Sequence, residues 1–205
     1  PSTKFVGKSA FSGCTLLDKV LITSRLKSIE ESTFSDCSSL ELMVIPTTVE
    51  CIGEFAFSDC RSLKMIEIPS SVKIIKEDAF DYCSSLVKVV IPPSITEISQ
   101  SLFNQCSSLK EIEIPSSVTR INDYAFRDCS SLTHVKIPQS VTFIGQLCFD
   151  GCKSLDNVEI PPLVTSIEKY TFRNCISLTN ILIPPSIRAI KKKAFSEPNF
   201  LSFLL

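Results

Sequence analysis

A period of 23 residues runs through this chain from end to end. Eight cysteines, Cys14, Cys37, Cys60, Cys83, Cys106, Cys129, Cys152 and Cys175, stand 23 apart without exception. Phe11 opens a column that keeps the same step to Phe195, three residues ahead of the cysteines. Leu17 to Leu201 and Ile22 to Ile183 form two more, and a proline follows that isoleucine in all seven copies from Pro46 to Pro184. No insertion or deletion breaks the register. A unit this short cannot bury its apolar side alone, so the copies must stack as successive coils of one solenoid.

The copy at residues 106–128 shows how one coil is built. Ile112 and Ile114 alternate with polar residues, as a short strand with one buried face does. Pro115 follows at once and ends the strand, because it has no N–H to donate to a ladder. Val118 and Ile121 then bury a return segment of turns and loops, and Ala125-Phe126 closes the coil. Equivalent strands of successive coils should lie parallel, ~4.8 Å apart, so nearly nine coils make a stack on the order of 40 Å long. The wider part of each coil lies opposite the strands, which predicts an arc with the sheet on its concave side. With no linker in the register, residues 1–205 are read as a single domain. Both ends fall inside a coil, with Val6, Ala10 and Phe11 in register at one and Leu201 and Leu204 at the other, and Pro198 stands in the cysteine column. That predicts a fragment of a longer chain, or ends shielded by end-to-end self-association through their open strand edges.

Composition narrows the chemistry. Lys and Arg number 21 against 22 Asp and Glu, and this near-neutral balance argues against a nucleic-acid surface. The run Lys191-Lys192-Lys193 reads as a solvated loop. No apolar run approaches the ~18–20 residues of a membrane span, so no direct membrane insertion is expected. The first residues show no signal-peptide pattern. The five glycines are scattered, without a phosphate-binding loop.

Ten cysteines raise metal and disulfide chemistry, and both readings weaken on inspection. No Cys-x-x-Cys pair exists. Cys148 occupies the column of Ala56, Ala79 and Ala125, as a small buried residue would. Stacked column cysteines would have parallel Cβ vectors, which disfavours bridging them. The column is therefore expected as a ladder of inward free thiols, with Cys51 outside it as an exposed thiol. So many unpaired thiols fit a reducing compartment better than an oxidising one, and no Asn-x-Ser/Thr sequon is present. His134 faces outward from its strand and reads as a surface histidine; a triad would need a carboxylate such as Asp156 or Glu111 and a free nucleophile, and every nearby serine belongs to a repeated column. No catalytic residue, metal ligand or cofactor site is assigned.

What remains is the outward face of the strands. Its expected partner-binding residues are Leu21, Leu42, Val44, Met65, Glu67, Lys88, Val90, Glu111, Glu113, His134, Lys136 and Glu159. Leu21, Leu42, Val44, Met65 and Val90 form an apolar patch over the first four strands, and Glu67, Glu111, Glu113 and Glu159 make the middle acidic, relieved by Lys88 and Lys136. Contiguous apolar residues rimmed by charge mark a protein interface.

The strand pattern Leu63-x-x-Ile66-x-Ile68 resembles the leucine-rich repeat, and the 23-residue unit with its Pro-x-Ser-Val, Ala-Phe and Cys positions resembles the BspA-like subclass over essentially the whole chain. The resemblance implies a leucine-rich-repeat solenoid with a curved parallel β-sheet on the concave side, short strands, and turns and loops on the convex side. It implies a non-enzymatic module of a bacterial or protozoan surface protein that adheres to host matrix or cell-surface proteins. An intracellular scaffold or regulatory subunit binding an enzyme such as a phosphatase is the alternative, favoured by the thiols. Where many leucine-rich repeats carry an Asn ladder, this chain has Thr48, Ser71, Ser94, Ser117, Ser140 and Ser186, whose hydroxyls are expected to satisfy backbone groups at the strand exit. The subclass glycine survives as Gly7, Gly53 and Gly145, a position where a left-handed backbone is expected but not strictly required.

Overall fold

The computed structural model describes residues 3–23 and 25–195, and within them each coil has three sides. The Pro198, Leu201 and Leu204 positions lie outside the described residues. On the first side are eight parallel three-residue strands: Lys19–Leu21, Leu42–Val44, Met65–Glu67, Lys88–Val90, Glu111–Glu113, His134–Lys136, Asn157–Glu159 and Asn180–Leu182. Ladder partners are 23 residues apart, as in Val20 with Met43 and Ile112 with Val135. Hydrogen bonding joins the first two strands as one group and the other six as one sheet. In six of the eight strands the middle residue is buried, and in all eight both flanking residues are exposed. The proline stops each strand as its missing N–H requires, and its own carbonyl then accepts the N–H three residues on, for example Val49 to Pro46 at 3.0 Å and Val118 to Pro115 at 3.0 Å.

The return segment is more regular than turns and loops. It carries a second ladder of parallel two-residue strands, from Ser28–Ile29 to Ala189–Ile190, in three hydrogen-bonded groups. Arg120 pairs with Glu97 and Phe143, and Ile121 with Ile98 and Ile144. Two residues are too few to show a period, yet their backbone groups still find partners one coil away. Between the two ladders the Ser/Thr column behaves as expected. Thr48 and Ser71 donate to the carbonyls of Leu26 and Val49 at 2.7 Å each, and Ser186 donates to Val164 at 2.9 Å.

The third side is a run of turns that also stitches coil to coil. Ser32, Phe34 and Asp36 donate their N–H groups to the next coil, to Glu54, Ala56 and Ser58 at 2.8, 2.9 and 2.8 Å. The residues between them close local turns, such as Ser35 to Ser32 at 3.1 Å and Cys37 to Phe34 at 3.3 Å. This alternation demands a left-handed backbone twice per coil. One such column runs from Ser9 and Ser32 through Phe55 and Leu147 to Lys193, the other from Gly13 and Asp36 through Tyr82 to Asn174. The glycine position expected to be left-handed is therefore not the one that is. Gly53 and Gly145 are instead places of close approach, where a Cβ would fall 2.6 Å from the Glu31 nitrogen and 2.5 Å from the Asp123 nitrogen.

Inside this frame the buried apolar side chains form one continuous cluster from Leu26 to Ala194. Along it runs a stack of phenylalanine rings from the exposed Phe11 to Phe195, with centroids 5.3 to 5.8 Å apart and planes within 14° of parallel. Offset stacking of this kind adds to the burial of the rings themselves.

Candidate functional site

All twelve residues expected to meet a partner are exposed on the sheet. They are there because each flanks a buried strand centre, and side chains alternate across a pleat. The ladder brings them together. Leu21 pairs with Val44, Met65 with Lys88, Glu67 with Val90, and Val90 with Glu113. Glu113 in turn pairs with Lys136, and Glu111 with His134. Leu42 and Met65 lie on contacting neighbour strands, so the apolar patch is continuous. Glu159 sits towards the far end beside Leu182, an exposed leucine outside the expected set. Leu21, Met65 and Leu182 are each more than 60% exposed, at 68%, 63% and 61%.

A depression of about 590 Å³ opens in the middle of the sheet. Lys88, Val90, Glu111, Glu113, His134 and Lys136 line it, and Pro93 and Pro115 contribute to its wall. Those two prolines are site residues that strand periodicity missed, because they lie beyond the strand ends. Their signal was present, since Pro93 doubles the usual single proline.

The charges of this face differ from those of the flanks. On the flanks, three lysine–glutamate pairs of adjacent coils neutralise one another: Lys8 with Glu31 at 2.7 Å, Lys27 with Glu50 at 2.6 Å, and Lys64 with Glu41 at 3.3 Å. The Lys8 ammonium, by hydrogen bond and charge, holds the Glu31 carboxyl below its usual range, and Lys27 does the same for Glu50. Among the described residues, no ion pair within 4.0 Å involves Glu67, Lys88, Glu111, Glu113, Lys136 or Glu159.

The thiols have no such openness. Seven column cysteines, from Cys37 to Cys175, each donate their S–H to the carbonyl of the phenylalanine 26 residues earlier, at 3.0 to 3.3 Å. Burial pushes the Cys37 thiol up to about 11 and the Cys175 thiol up to about 12, and it raises Cys60, Cys83, Cys106, Cys129, Cys148 and Cys152 further. All ten cysteines are free, eight of them buried, with Cys14 exposed at the first coil. Cys51 corrects the expectation of an exposed thiol: it is half-buried, and desolvation raises its pKa, which disfavours the reactive thiolate. Among the described residues no group of three His, Cys, Asp or Glu gathers as a metal site requires. No helix there is long and apolar enough to cross a membrane.

Comparison with known proteins agrees with this geometry. A leucine-rich repeat protein from Bacteroides ovatus is 26% identical over 93% of this chain and 79% of its own, with a TM-score of 0.52. The leucine rich repeat protein of T. pallidum is 25% identical over 87% of this chain and 75% of its own, with a TM-score of 0.58. A leucine rich cell surface protein of Faecalibacterium prausnitzii is 26% identical over 85% of this chain and 62% of its own, with a TM-score of 0.52. No match is found among curated proteins. The family model described as BspA type leucine rich repeat region matches residues 4–133 and 96–204 in six copies. The chain belongs to the BspA-type leucine-rich repeat family.

Proposed function

We propose that this chain is a non-enzymatic protein-binding module that takes its ligand on the sheet of three-residue strands, and that its role is adhesion to a host matrix or cell-surface protein. The observation that carries the reading is the contrast in charge. Several flank lysines and glutamates neutralise one another across coils, whereas among the described residues no ion pair within 4.0 Å engages Lys88, Glu111, Glu113 or Lys136 around a depression that adjoins an apolar patch. A surface with apolar anchors and uncommitted charge suits a protein ligand. The cell-surface description of the Faecalibacterium prausnitzii relative supports an exterior location. Free thiols do not oppose it, because eight of the ten are buried and their thiolates disfavoured.

The test has two steps. Antibody against this chain is applied to intact, non-permeabilised cells, and surface staining is expected. Matrix proteins are then screened for binding, with Leu42→Glu and Val44→Glu expected to abolish it and Thr142→Glu, away from the sheet, expected to leave it unchanged. Staining only after permeabilisation would overturn the adhesion role and turn the search to a cytosolic enzyme as partner. Equal loss in all three variants would overturn the sheet as the binding face.

A further inference from the structure

The side of the coil that carries the two-residue strands has a groove of its own, about 570 Å³, whose lining includes Glu54, Ile74, Glu77, Glu97, Arg120 and Phe143. Its charges are segregated along the solenoid. One column of the following turn opens with Lys8, continues with Glu31, Glu54 and Glu77, and passes through Gln100, Asp123 and Gln146. It ends on Lys169 and Lys192. The column beside it passes from Gly7 and Glu30 through Lys76 and Glu168 to Lys191, and the next one ends on Lys193. The strip thus carries most of its acids towards one end, with Lys8 and Lys76 among them, and a basic cluster around Glu168 at the other, and Glu77, Lys169, Lys191, Lys192 and Lys193 are exposed on it.

We propose that this strip is where two copies of the chain pair side by side and antiparallel, about a two-fold axis that crosses the strip between the coils of Gln100 and Asp123. A two-fold lying across the strip lays every column on itself in reverse order, as an isologous interface requires. Glu54 then meets Lys169 of the second copy, Glu31 meets Lys192, and Glu77 meets Gln146. In the neighbouring columns Glu30 meets Lys191, Glu97 meets Arg120, Ile74 meets Phe143, and Phe55 meets Tyr170. Ile74 is 55% exposed and Phe55 36%, so both present apolar surface to such a partner.

Other registers are less favourable in charge. A shift of one coil one way sets Asp123 on itself, and one coil the other way sets Glu77 against Asp123. A parallel pair would lay the acidic end on the acidic end. The like-charge contact of the chosen register, Lys27 facing Arg188, falls at the strip's edge, where Lys27 is already held by Glu50 at 2.6 Å. Glu31 is likewise engaged by Lys8 at 2.7 Å, which places more of the attraction on Glu54 with Lys169 and Glu30 with Lys191. Seven ladder steps make the strip about 34 Å long. It is narrow, so the dimer belongs at the small, dissociable end of protein interfaces and is sensitive to salt. The sheet face remains free in this arrangement.

Sedimentation of the 205-residue chain tests it. Wild type is expected to dimerise at ~0.05 M salt and to be monomeric near ~0.5 M, where screening shortens to a few ångström. The double variants Glu30→Lys with Glu54→Lys, and Lys169→Glu with Lys191→Glu, should each self-associate about tenfold or more weakly, because like charges then face each other. An equimolar mixture of the two should dimerise again, since each reversed end now meets its opposite. Monomeric wild type at low salt, unaltered association in either variant, failure of the mixture to recover, or growth into larger assemblies would each overturn the proposal.

Discussion

The sheet side and the turn side of this solenoid obey the same 23-residue register, yet they use it in opposite ways. On the sheet side the backbone runs in ordinary parallel pairing, and every second side chain points out with no part in holding the coils together. Those positions range from leucine to glutamate, lysine and histidine. On the turn side the coils are joined by stacked phenylalanine rings, thiol-to-carbonyl hydrogen bonds and N–H groups that reach the next coil, two of every three of them from a left-handed backbone. The difference teaches where substitutions are tolerated. A face whose geometry is satisfied by its backbone is free to vary for binding, and a face whose geometry depends on particular side chains is not.

The largest expected effect lies in the ring stack. Phe126→Ala opens a cavity between Phe103 and Phe149, whose rings stand 5.7 and 5.4 Å from it. It should cost about 3–5 kcal/mol in urea unfolding, whereas Glu111→Ala on the sheet should stay within about 0.5 kcal/mol. Equal losses from both would erase the contrast between the two sides.

Backbone strain on the turn side gives a smaller effect. Gly151 holds φ of +75°, and a Cβ there would press on the Asp128 side chain, 3.2 Å from its Cγ. Gly151→Ala should therefore destabilise by about 1–2 kcal/mol. Gly7 has no left-handed φ and only the Phe5 ring near its Cβ position, at 3.6 Å. Gly7→Ala should be neutral or slightly stabilising, and matched thermal melts of the two variants compare them directly.

The smallest effect is electrostatic. Burial pushes the Asp81 carboxyl up to about 6, against the Asn104 amide that donates to it at 2.9 Å. The folded chain thus holds this proton more tightly than the unfolded chain does. Its contribution to stability is present below the ordinary carboxylate range and is lost as pH rises through about 6. Asp81→Asn should flatten the pH dependence of the melting temperature across roughly pH 4 to 7, by no more than about 1 kcal/mol because the group is partly solvated. An unchanged profile would show that Asp81 titrates alike in both states.

Much of the architecture was legible because the repeat places the same side chain in the same environment many times. Phe126, Cys129, Leu132 and Ile137 are buried for the reason that their columns are apolar in every copy, and Glu111 and Lys136 are exposed because they alternate with strand centres. The twelve sheet residues could be read off by the same alternation, and the prolines at the rim of the depression could not, since they lie beyond it. Arg120–Ile121 was not legible as a strand, because two residues have no period. Nor was the left-handed backbone at Tyr82 and Leu147, since neither residue favours that conformation by itself.

The sequence by itself determined the coil, its apolar columns, the strand and the stop after it, because these follow from side-chain period and from proline's missing donor. Only the tertiary structure decided which backbone groups bridge the coils on the other two sides. A bulky residue adopts φ near +55° at Leu147 because the N–H there reaches Lys169 of the next coil, at 3.1 Å. That bond exists only once the neighbouring coil is in place, so no local property of the chain announces it.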